Sequence, residues 1–221
     1  DKKILSIIVP LYNEEEAFPH FAPRLFSALE KLPEYEREIL FIDDGSSDAT
    51  LLKLKEFCAE SPRCRIIRLR KHSGKTAALM AAFKQVKGAY VITIDGDGQD
   101  DPEEIPHILE KLDQGYDLVN CWKQCRQDIP VKRFLSKMFN AVTSFVFGVK
   151  LCDHNSGFKG YRREVVDGLD LQGEMHRFIP VIVKQQGYTL MEIPVIHHRR
   201  KHGRSKYGLK RIWQGLFDGI S

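Results

Sequence analysis

Short apolar runs that alternate with amphipathic segments are the feature that most constrains the fold of this 221-residue chain. Four of the runs are continuous enough to be strands buried on both faces of a sheet. They are Ile4–Val9, Ile39–Ile42, Ile66–Leu69 and Tyr90–Ile94. Between them, apolar residues recur at helical spacing. This alternation predicts an α/β fold with a mostly parallel sheet and helices on both faces.

The second half of the chain is less regular. Its apolar patterns predict strands at Asp117–Trp122 and Tyr188–Val195 and helices at 132–147 and 175–186. From Leu209 to the end, the apolar side chains follow one stripe of a helix.

Composition excludes several classes of protein. The chain has five cysteines, an odd number without a CxxC pair, so we expect reduced thiols in a cytosolic setting and neither a disulfide framework nor a structural zinc site. The net charge is only +4, but seven Lys and Arg residues and no acid lie between Arg199 and Arg211. Such a stretch fits a nucleic acid, an anionic lipid or a phosphorylated substrate.

No apolar run reaches the roughly 18 residues needed to span a bilayer, and no signal peptide is visible. We therefore expect the chain as given to be soluble. Because it begins without Met and stops within an amphipathic pattern, we also expect it to be a piece of a longer protein.

Acidic loops follow three of the predicted strands, at Asn13–Glu16, Asp43–Asp44 and Asp95–Asp101. Ligands of open parallel sheets bind outside the carboxyl ends of the strands, so we expect the three loops to converge there. Asp43 and Asp44 can accept hydrogen bonds from a base or a ribose, although an acid at a helix start also interacts with the helix dipole.

The Asp-x-Asp run is the strongest local signal. Asp95 and Asp97 can hold a hard divalent cation that neutralises a diphosphate, and Gly96 and Gly98 let the backbone approach a ligand closely. Taken alone, such a run is more often an acidic surface turn, because turns favour Asp and Gly.

Other nucleotide motifs are incomplete. Lys71–Thr76 ends in Gly-Lys-Thr, but position 69 is Leu where a phosphate-binding loop needs Gly, so an ATPase loop is rejected. Lys75 is either close to phosphates or part of a solvated helix start. No GxGxxG follows the first strand, which argues against a nicotinamide or flavin enzyme, and the histidines do not form HExxH.

Six segments occur in an order that is known from one enzyme family. They are Val9–Glu15, Ile42–Asp48, Asp95–Pro102, Asp153–Phe158, Met175–Pro180 and Arg200–Gly208. On these segments the chain resembles the family 2 glycosyltransferases of GT-A fold, and within them the polyprenyl-phosphate (dolichyl- or undecaprenyl-phosphate) glycosyltransferases.

The resemblance implies roles for individual residues. Together with the positions singled out above, the candidate donor-binding set is Pro10, Tyr12, Glu14, Asp43, Asp44, Lys75, Asp95, Gly96, Asp97, Lys123, Arg200, Ser205 and Lys206. The implied ligands of Mg²⁺ or Mn²⁺ are Asp95, Asp97 and Gln99. The implied catalytic residues are Asp95, Asp97, Arg133 and Asp153.

The acceptor side follows from the same resemblance. Lys123, Arg133 and Ser136 stand where such enzymes hold the acceptor phosphate, although the family often has Arg at the position of Lys123. Asp153 and Asn155 match the acceptor-side segment.

The resemblance further implies two regions, a catalytic domain at 1–206 and an amphipathic membrane-interface helix at 207–221 that leads to transmembrane helices outside this chain. Lys210 and Arg211 flank the apolar stripe with Trp213, a pattern suited to a membrane surface. We expect the domain at the cytoplasmic face of a membrane, without a nucleic-acid partner and with a homo-oligomer as an open alternative.

The implied reaction is a metal-dependent, inverting transfer of a sugar from a nucleotide-sugar to a polyprenyl phosphate. UDP-glucose or a related UDP-sugar is the favoured donor, because the segments at 176–180 and 204–208 look closer to the bacterial-type glucosyl group. GDP-mannose, a non-lipid acceptor and a non-catalytic binding module are the alternatives. A nucleic-acid binder is disfavoured by the three acidic loops.

Overall fold

The computed structural model describes residues 2–124 and 143–199. Its strands are β1 (Lys3–Leu11), β2 (Tyr35–Asp43), β3 (Cys64–Arg68), β4 (Tyr90–Thr93), β5 (Leu118–Gln124), β6 (Lys159–Arg162) and β7 (Leu190–Ile196). Its helices are α1 (Phe18–Glu30), α2 (Thr50–Ala59), α3 (Lys75–Phe83), α4 (Ile105–Asp113), α5 (described over 143–147), α6 (Arg163–Asp167) and α7 (Ile179–Gln185). Short 3-10 turns at Pro102–Glu104 and Met175–Phe178 precede α4 and α7.

The strands form one sheet in the order β3-β2-β1-β4-β6-β5-β7. β1 pairs in parallel with β2 and β4, β2 with β3, and β5 with β7. Only β6, among the described strands, runs antiparallel to its neighbours β4 and β5. The sheet is therefore mostly parallel, as the alternation of the first half predicts.

Helices cover both faces of the sheet and form a core on each face. The apolar side chains of β1 alternate between these two cores. Leu5, Ile7 and Val9 point into a core shared with α1 and α4. Ile8 belongs to the opposite core, which contains buried residues of α3, α6 and α7. Since both faces of the central strands are buried, the polar loops at the strand ends are the places where the sheet can meet a ligand.

The structure corrects the predicted helix at 175–186. Residues Met175–Phe178 form a 3-10 turn, and the α-helix begins only at Ile179. Pro180 has no N–H to donate to the carbonyl of His176, so one α-helical ladder cannot run through this segment. Proline is well tolerated in the first turn of the new helix, where the N–H groups have no intrahelical partner.

Two predicted segments lie largely or wholly outside the described residues. Of the helix predicted at 132–147, only 143–147 is described, and it is helical. The amphipathic helix at 207–221 is not described and stays a prediction. Within 2–124 and 143–199, every helix is too short or too polar to cross a membrane. Cys58, Cys64, Cys121 and Cys152 are free thiols.

Close packing of β6 against α4 gives a test of the fold. A β-carbon at Gly160 would lie 2.1 Å from Cγ2 of Ile108. Gly160→Ala should therefore lower the free energy of unfolding by about 1–3 kcal/mol, because the extra methyl group overpacks the core. Urea unfolding measures the change. Gly168→Ala is the matched control, since a β-carbon there meets nothing closer than 3.6 Å.

The same clash predicts coupling between the two positions. Ile108→Ala removes the colliding atom, so the double variant should lose less stability than the sum of the two single variants. Strictly additive losses would contradict the packing described here.

Candidate active site

The carboxyl ends of β2, β1 and β4 lie side by side at one edge of the sheet, and their loops are joined by hydrogen bonds. The N–H of Asp44 donates to the carbonyl of Leu11 at 2.9 Å. The N–H of Asn13 donates to Oγ of Ser46 at 3.0 Å. The loop after β4 reaches the same edge, since a β-carbon at Gly96 would lie 2.7 Å from Cδ2 of Leu11. The structure thus brings the three acidic loops together.

Pro10 and Glu14 mark the two sides of the β1 end. Pro10 is the penultimate residue of β1 and pairs with Ile42 of β2. Glu14 is buried, and its N–H donates to Oγ1 of Thr50 at the start of α2. The loop that carries Tyr12 is therefore held rigidly between β1 and α2.

Asp44 organises the turn that leads into α3. Its Oδ1 accepts from the N–H of Ser73 at 2.7 Å, and its Oδ2 accepts from the N–H of Gly74 at 2.9 Å. The same Oδ2 lies 2.8 Å from Nδ1 of His72, whose ring stacks on Tyr12 with 3.8 Å between centroids. Sequence analysis overlooked His72, which together with Tyr12 presents a flat aromatic surface beside the carboxylate.

Asp43 is wholly buried and supports the neighbouring loop. Its Oδ1 accepts from the N–H of Ser46 at 3.0 Å, and its Oδ2 lies 3.5 Å from Nε of Arg68. Gly45 follows with a φ of +67°, and a β-carbon there would lie 2.4 Å from the carbonyl carbon of Lys71. Glycine is required at this position both for its backbone angle and for the close approach of the two loops.

Asp95, the first residue of the acidic loop that follows β4, is paired with a lysine. Nζ of Lys75 donates to Oδ1 of Asp95 at 2.5 Å. Burial would raise the pKa of Asp95, but the ammonium groups of Lys75 and Lys123 outweigh it and lower the pKa to about 2. The pair sits directly over Gly157, where a β-carbon would lie 2.3 Å from Oδ2 of Asp95. Asp95 is thus ionised throughout the neutral range.

Asp97 and Gln99 lie in the turn that follows. Oδ1 of Asp97 accepts from the N–H of Gln99 at 3.1 Å. Gln99 in turn exchanges two bonds with His198: its carbonyl accepts from the N–H of His198 at 2.8 Å, and its Nε2 donates to the carbonyl of His198 at 3.2 Å. The loop after β4 is therefore bonded to the segment that follows β7.

Two further acids strengthen this connection. Oδ2 of Asp101 lies 2.8 Å from Nε2 of His198, and Oδ1 of Asp101 accepts from Arg24 of α1 at 3.2 Å. Asp100 forms an isolated antiparallel bridge with His197. The acidic loop is therefore held from both α1 and the end of β7, immediately before the basic stretch of the sequence.

Asp100 is buried with neither carboxylate oxygen accepting a hydrogen bond in the described part of the chain. Among the described residues, Nζ of Lys123 lies 3.9 Å and Nε2 of His197 lies 4.0 Å from Oδ1 of Asp100. Burial raises the pKa of Asp100 to about 6, even though the charge of Lys123 opposes the rise. The sequence placed Asp100 within the acidic loop but gave it no role.

Lysine side chains compensate the acids of this edge. Burial would lower the pKa of Lys123, but the surrounding carboxylates of Asp100, Asp95, Asp153 and Asp97 outweigh it and raise the pKa. Lys159 of β6 is also buried, and its ammonium donates to the carbonyl of Ser156. Burial lowers its pKa to about 8.

Seven charged groups therefore meet at this edge. They are Asp95, Asp97, Asp100 and Asp153, and Lys75, Lys123 and Lys159. Among the described residues, these four carboxylates and three ammonium groups leave one negative charge in excess. An edge of this kind can accept a cation at its acidic part and an anionic phosphate at its lysines.

The residues after β4 fit a hard divalent cation. Two carboxylates and a side-chain amide supply only oxygen ligands, which Mg²⁺ and Mn²⁺ prefer. Beside them, the buried carboxylate oxygens of Asp100 accept no hydrogen bond from the described residues. Among residues 2–124 and 143–199, no three His, Cys, Asp or Glu side chains converge on one point that could hold a metal. Mg²⁺ usually takes further ligands from phosphate oxygens and water.

The backbone of Asp153 is held from two strands. Oε1 of Glu192 in β7 accepts from the N–H of Asp153 at 3.1 Å, and Oε2 accepts from the N–H of Cys152 at 2.8 Å. Nδ2 of Asn120 in β5 donates to the carbonyl of Asp153 at 2.8 Å and to Oε1 of Glu192 at 3.0 Å. Oδ1 of Asp153 accepts from the N–H of Asn155 at 3.1 Å. Asp153 is thereby directed toward the charged edge.

Sequence analysis missed Asn120 and Glu192. The available signal was a polar residue inside each of two predicted buried strands. Five other candidates, Arg133, Ser136, Arg200, Ser205 and Lys206, lie outside the described residues, so their roles stay predictions.

The chain matches the family model described as "Glycosyl transferase family 2" over residues 6–169. It is 37% identical over 219 residues to the undecaprenyl-phosphate 4-deoxy-4-formamido-L-arabinose transferase of Pseudomonas fluorescens (strain Pf0-1). It is 35% identical over 221 residues to the protein of the same name from Edwardsiella ictaluri (strain 93-146). These matches cover 98% and 99% of this chain but only 64% and 67% of the two relatives.

Solved structures with the same fold include glucosyl-3-phosphoglycerate synthase from Mycobacterium tuberculosis. Its complex with Mn²⁺, UDP and glucosyl-3-phosphoglycerate aligns with a TM-score of 0.73 at 16% identity, over 99% of this chain and 78% of that one. Its complex with Mn²⁺ and UDP-glucose gives a TM-score of 0.72 at 18% identity, with the same coverage. This likeness confirms the predicted GT-A fold.

The bonds around Asp153 predict a measurable coupling. Asn120→Ala and Glu192→Ala each leave buried polar groups unpaired, so each should cost about 1–3 kcal/mol of unfolding free energy. Because both side chains share one network, the double variant should deviate from additivity by about 0.5–3 kcal/mol. Chemical denaturation of the four proteins measures the cycle. The control cycle combines Asn120→Ala with Glu110→Ala, at an exposed position of α4, and its losses of unfolding free energy should be additive. Equal deviations from additivity in the two cycles would contradict the network.

Proposed function

We propose that this chain, which belongs to family 2 of the glycosyltransferases, transfers a sugar from a nucleoside diphosphate sugar to a polyprenyl phosphate. A divalent metal ion assists the transfer. The observation that carries the proposal is the charged edge, where an acidic loop for a metal and diphosphate lies against partly or fully buried lysines that suit a second phosphate. The names of the relatives support a lipid phosphate as the acceptor.

On the donor side, Asp95, Asp97 and Gln99 would hold Mg²⁺ or Mn²⁺. When bound, the metal neutralises the charge that develops on the departing diphosphate. The protein's own contribution is a rigid platform, because the loop after β4 is bonded to His198 and to Arg24. Tyr12, beside the Asp44 carboxylate, supplies the surface for the base and ribose.

On the acceptor side, Lys123 stays charged at neutral pH because carboxylates raise its pKa. Its ammonium can orient the lipid phosphate beside the donor. An oxygen of this phosphate forms a bond to the anomeric carbon while the bond to the diphosphate oxygen breaks and its electron pair leaves with the nucleoside diphosphate. The configuration at the anomeric carbon is inverted. The attacking phosphate is already ionised, so no strong general base is required, and positioning with electrostatic stabilisation carries the rate.

The nucleoside of the donor is proposed to be uridine. Structures of the same fold bind UDP or UDP-glucose with Mn²⁺, which supports this choice over guanosine. The names of the relatives favour 4-deoxy-4-formamido-L-arabinose as the sugar, whereas the sequence segments favour glucose. Both sugars therefore belong in the assay, with GDP-mannose as the alternative donor.

A membrane surface is the proposed setting of the reaction, since a polyprenyl phosphate resides in one. Phe145 is 91% exposed and the neighbouring Val146 is exposed as well, both on α5. Such apolar side chains suit contact with lipid. The helix at 207–221 is proposed to lie on the same surface, at the cytoplasmic face.

Removal of one metal ligand tests the reaction. Asp97→Asn keeps the shape of the side chain but removes its charge, so metal-dependent transfer should fall by about a hundredfold or more. The assay follows a radiolabelled UDP-sugar with undecaprenyl phosphate in detergent micelles, with and without Mn²⁺. Asp170→Asn, at an exposed position before β7, is the control and should keep full activity. Undiminished transfer by Asp97→Asn would contradict the assignment of Asp97 as a metal ligand.

A donor and acceptor panel tests the substrates. UDP-4-deoxy-4-formamido-L-arabinose, UDP-glucose and GDP-mannose are each offered with undecaprenyl phosphate, or with a water-soluble phosphate monoester. We expect a lipid-linked product from a UDP-sugar only, with at least about a tenfold preference in kcat/KM for the lipid acceptor. Equal transfer to the soluble monoester, or transfer from GDP-mannose alone, would contradict the proposal.

A further inference from the structure

An ammonium group contacts the aspartate that is expected to bind the metal. Nζ of Lys75 lies 2.5 Å from Oδ1 of Asp95, and the two side chains are only 16% and 27% exposed. Lys75 is the first residue of α3, and the turn before it is fixed by the bonds from Ser73 and Gly74 to Asp44. The backbone of Lys75 is thus held firmly, and a four-carbon stem joins it to the ammonium group.

The surroundings leave little room for a second cation at the same carboxylate. A β-carbon at Gly157 would lie 2.3 Å from Oδ2 of Asp95 and 2.4 Å from Nζ of Lys75, so the backbone at 157 closes one side of the pair. The carbonyl of Gly157 is itself fixed by a 2.8 Å bond from Oγ1 of Thr93 in β4. A divalent ion bonded to Asp95 would also meet the positive charge of Lys75 at close range.

We propose that Lys75 is a built-in counter-cation for Asp95, which a divalent ion displaces and which then binds the diphosphate of the donor. The ion pair holds the carboxylate in place before the substrate arrives. Metal binding breaks the pair, and the freed ammonium turns to the diphosphate that the metal also contacts. Lys75 is therefore a positioning residue with opposite effects on the two ligands: it weakens binding of the metal alone and strengthens binding of the nucleotide. This inference rests on the proposed metal site.

Lys123 provides the comparison that separates a direct contact from general electrostatics. It contributes a positive charge to the same edge and lowers the pKa of Asp95, but its ion-pair contact in the described part of the chain is with Asp100, at 3.9 Å. If only the total charge of the edge matters, loss of either lysine should tighten metal binding equally. If the contact matters, loss of Lys75 should have the larger effect.

The experiment measures Mn²⁺ affinity from the electron paramagnetic resonance signal of free Mn²⁺, without nucleotide, for the whole chain as wild type, Lys75→Met and Lys123→Met. We expect Lys75→Met to bind Mn²⁺ about tenfold or more tightly than wild type, and Lys123→Met to gain clearly less. Isothermal titration with UDP at saturating Mn²⁺ should show the opposite sign, with about a tenfold loss of UDP affinity in Lys75→Met. Lys75→Gln, which keeps a polar side chain, should give the same two signs, and thermal unfolding verifies that each variant is folded.

Each outcome decides between the hypotheses. Equal gains in Mn²⁺ affinity for Lys75→Met and Lys123→Met, or no gain for Lys75→Met and Lys75→Gln, overturn the counter-cation role while leaving the metal site intact. Unchanged UDP affinity in Lys75→Met overturns the second half of the inference. Absence of saturable Mn²⁺ binding in the wild type and all variants, both without nucleotide and with UDP present, overturns the metal site, and the inference with it.

Discussion

Charge compensation in a partly buried setting is the constraint on which the site depends. Four aspartates and three lysines meet around the ends of β4 and β5 and the start of β6, and isolated charges of either sign would be costly there. The direct contact between Lys75 and Asp95 and the nearby Lys123 keep the pKa of Asp95 low despite its burial. The same balance allows ligands to bind at this edge. A metal ion can replace an ammonium group as the partner of a carboxylate, and a diphosphate can replace a carboxylate as the partner of a lysine.

The sheet explains why these groups meet at one edge. Parallel strands place all their carboxyl ends together, so acidic loops that are distant in sequence become neighbours. β1 lies between β2 and β4, which puts the loop with Tyr12 between the one with Asp44 and the one with Asp95. Buried apolar runs reveal such strands in the sequence, and this is why β1 to β4, and the acidic residues after three of them, could be predicted.

Other parts of the structure have no comparable signal in the sequence. β6 is short and begins with Lys159, whose buried ammonium donates to the carbonyl of Ser156, so no apolar run marks the strand. Asn120 and Glu192 are 72 residues apart, and only the parallel pairing of β5 with β7 brings them to Asp153. The contact of Lys75 with Asp95 likewise depends on how α3 packs against the sheet. Long-range polar contacts of this kind follow from tertiary structure, which local patterns do not encode.

The central claim is that the loop after β4 holds the metal and the donor diphosphate. A crystal structure of the whole chain with UDP and Mn²⁺, with anomalous diffraction at the manganese edge, tests it most directly. We expect one manganese peak bonded to oxygens of Asp95 and Asp97 and to the diphosphate, with the uracil beside Tyr12. A manganese ion and UDP bound at another edge of the sheet, with the pair of Lys75 and Asp95 intact, would contradict it.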